Sequence, residues 1–358
     1  MNDEPGLKAP HRMGGDLPVL ATPLLAIGEP VRLDDRRRNI NDLIAEIKES
    51  ADKLATDQTS RGDLKILSRA LRELRYAFKV FAPYRWQRKV TVFGSARTRP
   101  HEPAYDLAVA FGQEMARRKW FVVTGASSGI MEAGHVGAGR DNSMGLNIML
   151  PFEQDANPVI AGDHKLVNMK YFFTRKLMFV KECDAVACFP GGFGTLDEAF
   201  EVLTLLQTGK RDMVPIVMLE PPGSSFWRPF DSFVKQTLLP QGMISPEDLS
   251  LYKLTDSIDV AVDEIITFYR VYHSMRYVKK NLVFRLLQPL HPSLLEELNA
   301  EFHDILQSGG FVQRDALPEE KDEPELADMS RLVFYFNRRS LGRLRQLIDA
   351  INRGSVAG

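Results

Sequence analysis

Pro190-Gly191-Gly192-Phe193-Gly194-Thr195-Leu196-Asp197-Glu198 stands between the apolar run Ala185–Phe189 and the helical pattern Leu196–Thr208. An apolar run, a glycine-rich turn and a helix in that order describe a strand that hands the chain to a helix start. Three glycines let backbone N–H groups come close to an anion. The helix start adds free N–H donors and the positive end of its dipole, and Thr195 adds a hydroxyl. The stretch reads as a phosphate cradle at a strand end.

Outward from it, the same alternation recurs. Val90–Phe93, Phe121–Thr124, Leu146–Leu150 and Val214–Leu219 are further candidate strands. Ala104–Arg118, Ile130–Arg140, Met169–Glu182 and Trp227–Leu239 are candidate helices between them. Repeated strand–helix alternation predicts an α/β fold, a Rossmann-like parallel sheet with helices on both faces, over residues 86–272. Ligands in such folds sit at the carboxyl ends of the strands. Two more glycine-containing loops fall there, Gly94-Ser95-Ala96-Arg97 and Thr124-Gly125-Ala126-Ser127-Ser128-Gly129-Ile130. Three such loops at three strand ends predict one shared nucleotide pocket.

Common nucleotide motifs do not fit. Gly209-Lys210 is followed by Arg211 and lacks the hydroxyl residue and spacing of a Walker loop. No G-x-G-x-x-G opens a helix. The loop Thr124–Ile130 is similar to the cofactor loop of short-chain dehydrogenases, but that chemistry needs Tyr-x-x-x-Lys. None of the nine tyrosines has Lys at that spacing, and Tyr171 meets Arg175 there.

Arg175 and Lys176 lie in the apolar, aromatic segment Tyr171–Phe179. Charge in such a setting is costly without a partner, so a ligand or a carboxylate is expected beside them. Together with the cradle, these residues carry a resemblance. The pattern P-G-G-x-G-T-x-x-E, matched by Pro190 to Glu198, with an upstream R-K-x-x-M, matched by Arg175-Lys176-Leu177-Met178, resembles the Lonely Guy (LOG) family of phosphoribohydrolases, often mislabelled lysine decarboxylases. Gly94–Arg97, Gly129–Ala133 and the stretch from Leu146 to Gln154 look like its longer bacterial branch. The resemblance covers about residues 88–240. Its one departure is Ala126-Ser127-Ser128, where relatives usually carry more glycine or proline.

The resemblance implies a hydrolase that cleaves the N-glycosidic bond of a nucleoside 5′-monophosphate (AMP or a cytokinin riboside 5′-monophosphate) to free base and ribose 5-phosphate. It implies no metal and no organic cofactor. Arg175 and Glu198 would be catalytic. Gly94, Ser95, Lys176, Gly191, Gly192, Gly194 and Thr195 would bind substrate and phosphate. Glu201 shares a helix face with Glu198. No residue stands out as the acid for the leaving base; Asp163, His164 and Glu132 are weak candidates, and His135 reads as a surface or packing residue. The family implies a homodimer or higher homo-oligomer. The rival reading is a non-catalytic nucleotide or molybdenum-cofactor carrier, which uses similar loops without hydrolysis.

The rest of the chain sets bounds. Of 358 residues, 44% are hydrophobic and 26% charged, as in ordinary globular proteins, and the net charge of −1 offers no bulk field for nucleic acid. No apolar run is long enough to span a membrane, and Pro18 and Pro23 break the stretch Leu17–Ile27, so no secretion signal is read. Cys183 and Cys188 make neither a disulfide framework nor a zinc site, and a cytoplasmic location is expected. Residues 1–30, rich in Pro and Gly, read as a mobile arm. Residues 31–85 read as a helical extension of two helices, carrying Ile40, Leu43, Ile44, Ile47 and Leu67, Leu71, Leu74, Phe78, broken at Ser60-Arg61-Gly62. Residues 275–358 read as a small α+β accessory unit apart from the chemistry. It has strands Leu282–Leu287 and Arg331–Phe336, a helix Ser293–Leu306 opened by a Ser293/Glu296 capping box, and a last helix Leu341–Ile351. Two strands are too few for a stable sheet, so docking onto the catalytic domain or a second subunit is expected.

Overall fold

The computed structural model describes residues 40–150 and 155–354. The arm expected at 1–30 and the segment Pro151-Phe152-Glu153-Gln154 lie outside the described residues. The chain divides into two compact units, Met1–Thr59 and Ser60–Gly358. In the first, α1 spans Asn41–Thr56 and buries none of its residues; Leu43, Ile44 and Ile47 are exposed.

The second unit opens with α2, Arg61–Phe81. Arg61 and Gly62, expected to break the pattern, begin this helix instead. The Ser60 hydroxyl accepts from the Asp63 N–H at 3.1 Å and satisfies a first-turn donor. Then follow β1 (Lys89–Phe93), α3 (Pro103–Arg117), β2 (Phe121–Thr124), α4 (Ile130–Ala138), β3 (Ser143–Ile148), β4 (Leu166–Met169) and α5 (Phe172–Glu182). After these come β5 (Ala185–Cys188), α6 (Phe193–Gln207), β6 (Ile216–Leu219), α7 (Trp227–Phe233), β7 (Lys253–Thr255) and α8 (Ile258–Phe268).

The strands make one 7-stranded parallel sheet in the order β4-β3-β2-β1-β5-β6-β7. The chain builds from β1 out to β4, then crosses to the other side of β1 for β5. That reversal opens a crevice at the carboxyl ends of β1 and β5, the usual ligand position in such sheets. Strand residues alternate between two apolar layers, as the pleat requires. Val90, Val92, Ala185 and Ala187 pack with Phe111 of α3 and Ile265 of α8. Phe93, Val186 and Cys188 pack with Phe179 of α5 and Val202 of α6.

Beyond the sheet come β8 (Tyr272–Val278), β9 (Asn281–Leu286), α9 (Pro292–Glu301), β10 (Leu306–Arg314), β11 (Ser330–Phe336) and α10 (Leu341–Gly354). The strands form a 4-stranded antiparallel sheet, β10-β11-β9-β8, not the two strands expected. Its apolar face joins one cluster that runs from Phe179 and Val186 through Phe268 and Tyr272 to Phe284, Phe334, Leu344 and Ile348. The stripe on α10 is thus buried within the same core as the parallel sheet. Asn352 fixes the seam: its Oδ1 accepts from the Val271 and Tyr272 N–H groups at 2.8 and 3.1 Å, and its Nδ2 donates to Phe268 O at 2.6 Å.

Three further differences have physical causes. Met169 ends a strand and does not start α5, which begins at Phe172 after Tyr171. The cradle helix begins at Phe193, three residues earlier than its apolar period shows, so Gly194 and Thr195 lie in its first turn. The cap of α9 is His291, whose side chain accepts from Ser293 N, in place of a Ser293/Glu296 box; Pro292 then takes the first helical position.

Polar burial in the second sheet is compensated by one carboxylate. Glu320 accepts from Arg285 Nε at 3.1 Å, from Arg331 Nε at 3.0 Å and from Leu317 N at 3.0 Å, and all three charged side chains are buried. Burial alone would raise its pKa; the Leu317 N–H and the two arginines outweigh that and hold it below the ordinary carboxylate range. Its contribution to stability is therefore complete above the ordinary carboxylate pKa and disappears as pH falls through the lowered value. Glu320→Ala leaves buried Arg331 without a carboxylate and Arg285 with Glu323 alone, and is expected to cost about 3–5 kcal/mol. Urea unfolding measures this; a loss under about 1 kcal/mol contradicts it.

Candidate active site

The three glycine-containing loops lock together at the carboxyl ends of β1, β2 and β5. Ser95 N donates to Pro190 O at 3.0 Å, Ile130 N to Ser95 O at 2.9 Å, and Ser128 Oγ to Ala96 O at 2.9 Å. Two glycines are required by this packing. A Cβ on Gly191 would overlap Thr195 Oγ1 and lie 2.8 Å from Ser95 N. Gly129 has φ +67° and would drive a Cβ into the backbone of Ser95 and Ala96. Gly192 and Gly194, by contrast, have nothing within 4 Å of their Cβ positions. They form the open side of the cradle, and no side chain caps α6 there. The α6 N-terminus thus combines its dipole with an open approach, which suits an anion.

This contrast is testable by stability. Gly191→Ala is expected to lose about 1–3 kcal/mol through overpacking, whereas Gly192→Ala leaves the fold within about 1 kcal/mol of the parent. Denaturant unfolding of the two variants separates them; equal losses contradict the assigned geometry.

Arg175 and Lys176 lie in the first turns of α5, and Glu198 in the second turn of α6. The Arg175 guanidinium lies between the rings of Phe172 and Phe179, 5.2 and 5.5 Å from their centroids. Its Nη1 is 3.5 Å from where a Cβ on Gly125 would stand, so it runs along the second loop, and its buried Nε has no hydrogen-bond partner. Burial pushes its pKa down, and the charge of Glu198 opposes that shift. Glu198 is 5% exposed, and its Oε2 has no hydrogen bond tighter than its 3.5 Å contact with Lys176 Nζ. Burial pushes its carboxyl above the ordinary range, against the pull of Lys176 and Arg175. A half-buried guanidinium with an unused Nε and a buried carboxyl, beside an anion cradle, form a site prepared for a polar ligand.

Lys176, expected at the phosphate, is engaged with carboxylates. Its Nζ lies 2.6 Å from Glu201, 2.9 Å from Asp197 and 3.5 Å from Glu198. Asp197 was not singled out in the sequence, because it fills an unspecified place in the motif. Glu201, read only as a neighbour on the helix face, accepts the shortest of these contacts.

Of the weak acid candidates, Asp163 and His164 are placed elsewhere, whereas Glu132 stays beside the loops. Asp163 contacts Arg140, His164 and Lys165 just before β4, at the amino-terminal edge of the parallel sheet and opposite the cradle. His164 is hydrogen-bonded to the Tyr84 hydroxyl at 2.8 Å. Glu132 is in the first turn of α4. His135 is fully buried between Thr124, Met144 O and Asn157, and burial pushes its pKa down to about 4, so it is a neutral packing residue. Cys188 is buried beneath the site, with its thiol pushed up to about 12 by burial and by the charge of Glu198.

Among known proteins, a family model described as possible lysine decarboxylase matches residues 123–265. The chain is 30% identical over 164 residues to cytokinin riboside 5′-monophosphate phosphoribohydrolase LOG3 of Arabidopsis thaliana, covering 44% of this chain and 73% of that protein. To the rice (Oryza sativa subsp. japonica) enzyme of the same name, LOG, it is 33% identical over 154 residues, 41% of this chain and 60% of the relative. A pyrimidine/purine nucleotide 5′-monophosphate nucleosidase of Escherichia coli (strain K12) is 28% identical over 148 residues, 38% of this chain and 33% of the relative. The chain thus matches three fifths of the rice protein's length and one third of the E. coli protein's. No described helix is long and apolar enough to cross a membrane.

Proposed function

The chain belongs to the LOG family, and from that premise we propose that it hydrolyses the N-glycosidic bond of a nucleoside 5′-monophosphate, releasing the free base and ribose 5-phosphate. The observation that carries this reading is the buried Glu198 carboxyl, acted on by the charges of Lys176 and half-buried Arg175, beside an open anion cradle at the sheet's switch point.

The phosphate rests against Gly191, Gly192, Gly194 and Thr195 at the α6 start, with Gly94 and Ser95 closing the other side. This anchor leaves the ribose over the second turn of α6. There Glu198, as a carboxylate, offsets positive charge developing on the sugar or steers water to the anomeric carbon. Its negative charge would repel the phosphate, which fits a place at the ribose. Arg175 orients Glu198 and supplies a charge the substrate can use. A carrier needs the cradle alone; the buried Glu198 carboxyl beside it, with Arg175 and Lys176 acting on its charge, favours hydrolysis. Phe172, Phe173, Leu177 and Phe193 are exposed around this face and support self-association there. Light scattering reads the assembly, and a monomer at all concentrations contradicts it.

The test is base release measured on AMP and adenosine in parallel. AMP is expected to give free adenine while adenosine is left nearly untouched. Equal turnover of both removes the anchor, and stoichiometric retention of AMP without cleavage supports the carrier instead.

A further inference from the structure

We propose that Lys176 is a positioning residue for Glu198 and not a phosphate ligand: its ammonium, shared among Asp197, Glu201 and Glu198, keeps the Glu198 carboxylate charged and in place. The inference rests on the proposed role of Glu198.

The argument begins with the charge count. Asp197, Glu198 and Glu201 lie within one turn of α6, and all three carboxylates reach a single ammonium, at 2.9, 3.5 and 2.6 Å. Among the described residues Arg175 is the other cation acting on Glu198, and Cys188 faces it from β5 as a neutral thiol. Three negative charges thus meet two positive ones before any substrate arrives. A phosphate that drew Lys176 away would uncover Asp197 and Glu201 next to a dianion. Binding through Lys176 is therefore opposed by the same groups that hold it. The neutral backbone donors of the cradle carry no such penalty.

The geometry also explains how Lys176 acts. Its two hydrogen bonds, to Asp197 and Glu201, fix Nζ against the buried carboxyl of Glu198. Burial and Glu201 both favour the protonated form of Glu198; Lys176 and Arg175 favour the charged form. Removing Lys176 tips this balance toward protonation. Removing the charge of Glu201 tips it the other way, because one repulsive charge is lost and Lys176 is released toward Glu198.

The test reads the Glu198 carboxyl directly. The full chain is labelled with ¹³C at the glutamate side-chain carboxyl and titrated by NMR, and the Glu198 signal is assigned by its loss in Glu198→Gln. Lys176→Met is expected to raise the Glu198 midpoint by about 1–3 pH units, the range for one nearby opposite charge. Lys176→Arg restores it, and Glu201→Gln lowers it. In AMP cleavage, the acidic limb of kcat moves with the midpoint in Lys176→Met, while KM changes by less than about threefold. An unmoved midpoint in Lys176→Met overturns the proposal, as does a large rise in KM with kcat kept, which would make Lys176 a phosphate ligand. If Lys176→Met does not fold, the opposite shift in Glu201→Gln decides the matter, and a midpoint unchanged there overturns it. The NMR arm needs no turnover. A chain that cleaves no nucleotide yet shows these shifts removes the proposed reaction and keeps the role of Lys176 toward Glu198.

Discussion

Glu198→Gln is expected to lower turnover of AMP by about 10²–10⁴, the scale for losing a positioned acid–base group. The substitution keeps size and shape and removes only the charge. Glu198 sits where that charge matters: it is buried, it faces the Lys176 ammonium at 3.5 Å, and it lies one turn beyond the phosphate cradle. The amide has less need of Lys176, which retains Asp197 and Glu201. The fold is therefore expected to hold, with substrate binding largely kept, since the cradle is built from other residues. Steady-state kinetics with a melting curve checks both halves. Near-native kcat in a folded variant contradicts a catalytic role for this carboxylate.

Arg175→Ala is expected to reduce kcat/KM by about 10²–10³, as for removal of one preorganised charge-stabilising donor. The guanidinium is held between Phe172 and Phe179 along the Gly125 loop, so it is fixed in place before substrate arrives. Its loss also withdraws one of the two cations that favour ionised Glu198. The acidic limb of the pH–rate profile then moves upward, toward the value burial alone would impose. A folded Arg175→Ala variant with unchanged kcat/KM contradicts the assignment.

The centre of the fold was legible because buried parallel strands make continuous apolar runs. Val90–Phe93, Phe121–Thr124 and Ala185–Phe189 are covered on both faces, and each was placed to within a residue. The edges were not. Leu166–Met169 and Lys253–Thr255 are short edge strands, with Asn168 and Lys253 exposed, and neither makes an apolar run. In the second sheet, β10 carries Gly309 and Gly310 with Gly309 at φ +78°, and its pairing shifts register twice, so no alternation survives in the sequence. The helix Ile258–Phe268 buries Ala261, Val262, Ile265 and Phe268 at helical spacing, and its cap, Ser257 accepting from Val260 N, was a further available signal.

The site divides in the same way. Its loops and charged residues could be named from the motif, because glycines and a fixed Arg-Lys pair are visible in any one-dimensional string. The partners of each charge could not. Lys176 meets Glu201 across 25 positions of sequence, and only the packing of α5 on the sheet beside α6 brings them to 2.6 Å. Which neighbour covers the second sheet, the parallel sheet's core, was open in the sequence for a similar reason. Leu344, Leu347, Ile348 and Ile351 announce an apolar stripe, but a stripe does not say what covers it.

Phosphorus NMR of AMP incubated with the purified protein tests the central claim most directly. The account predicts that the AMP phosphomonoester signal converts to that of ribose 5-phosphate, without release of inorganic phosphate. Appearance of inorganic phosphate, or an AMP signal that persists unchanged at stoichiometric enzyme, would contradict it.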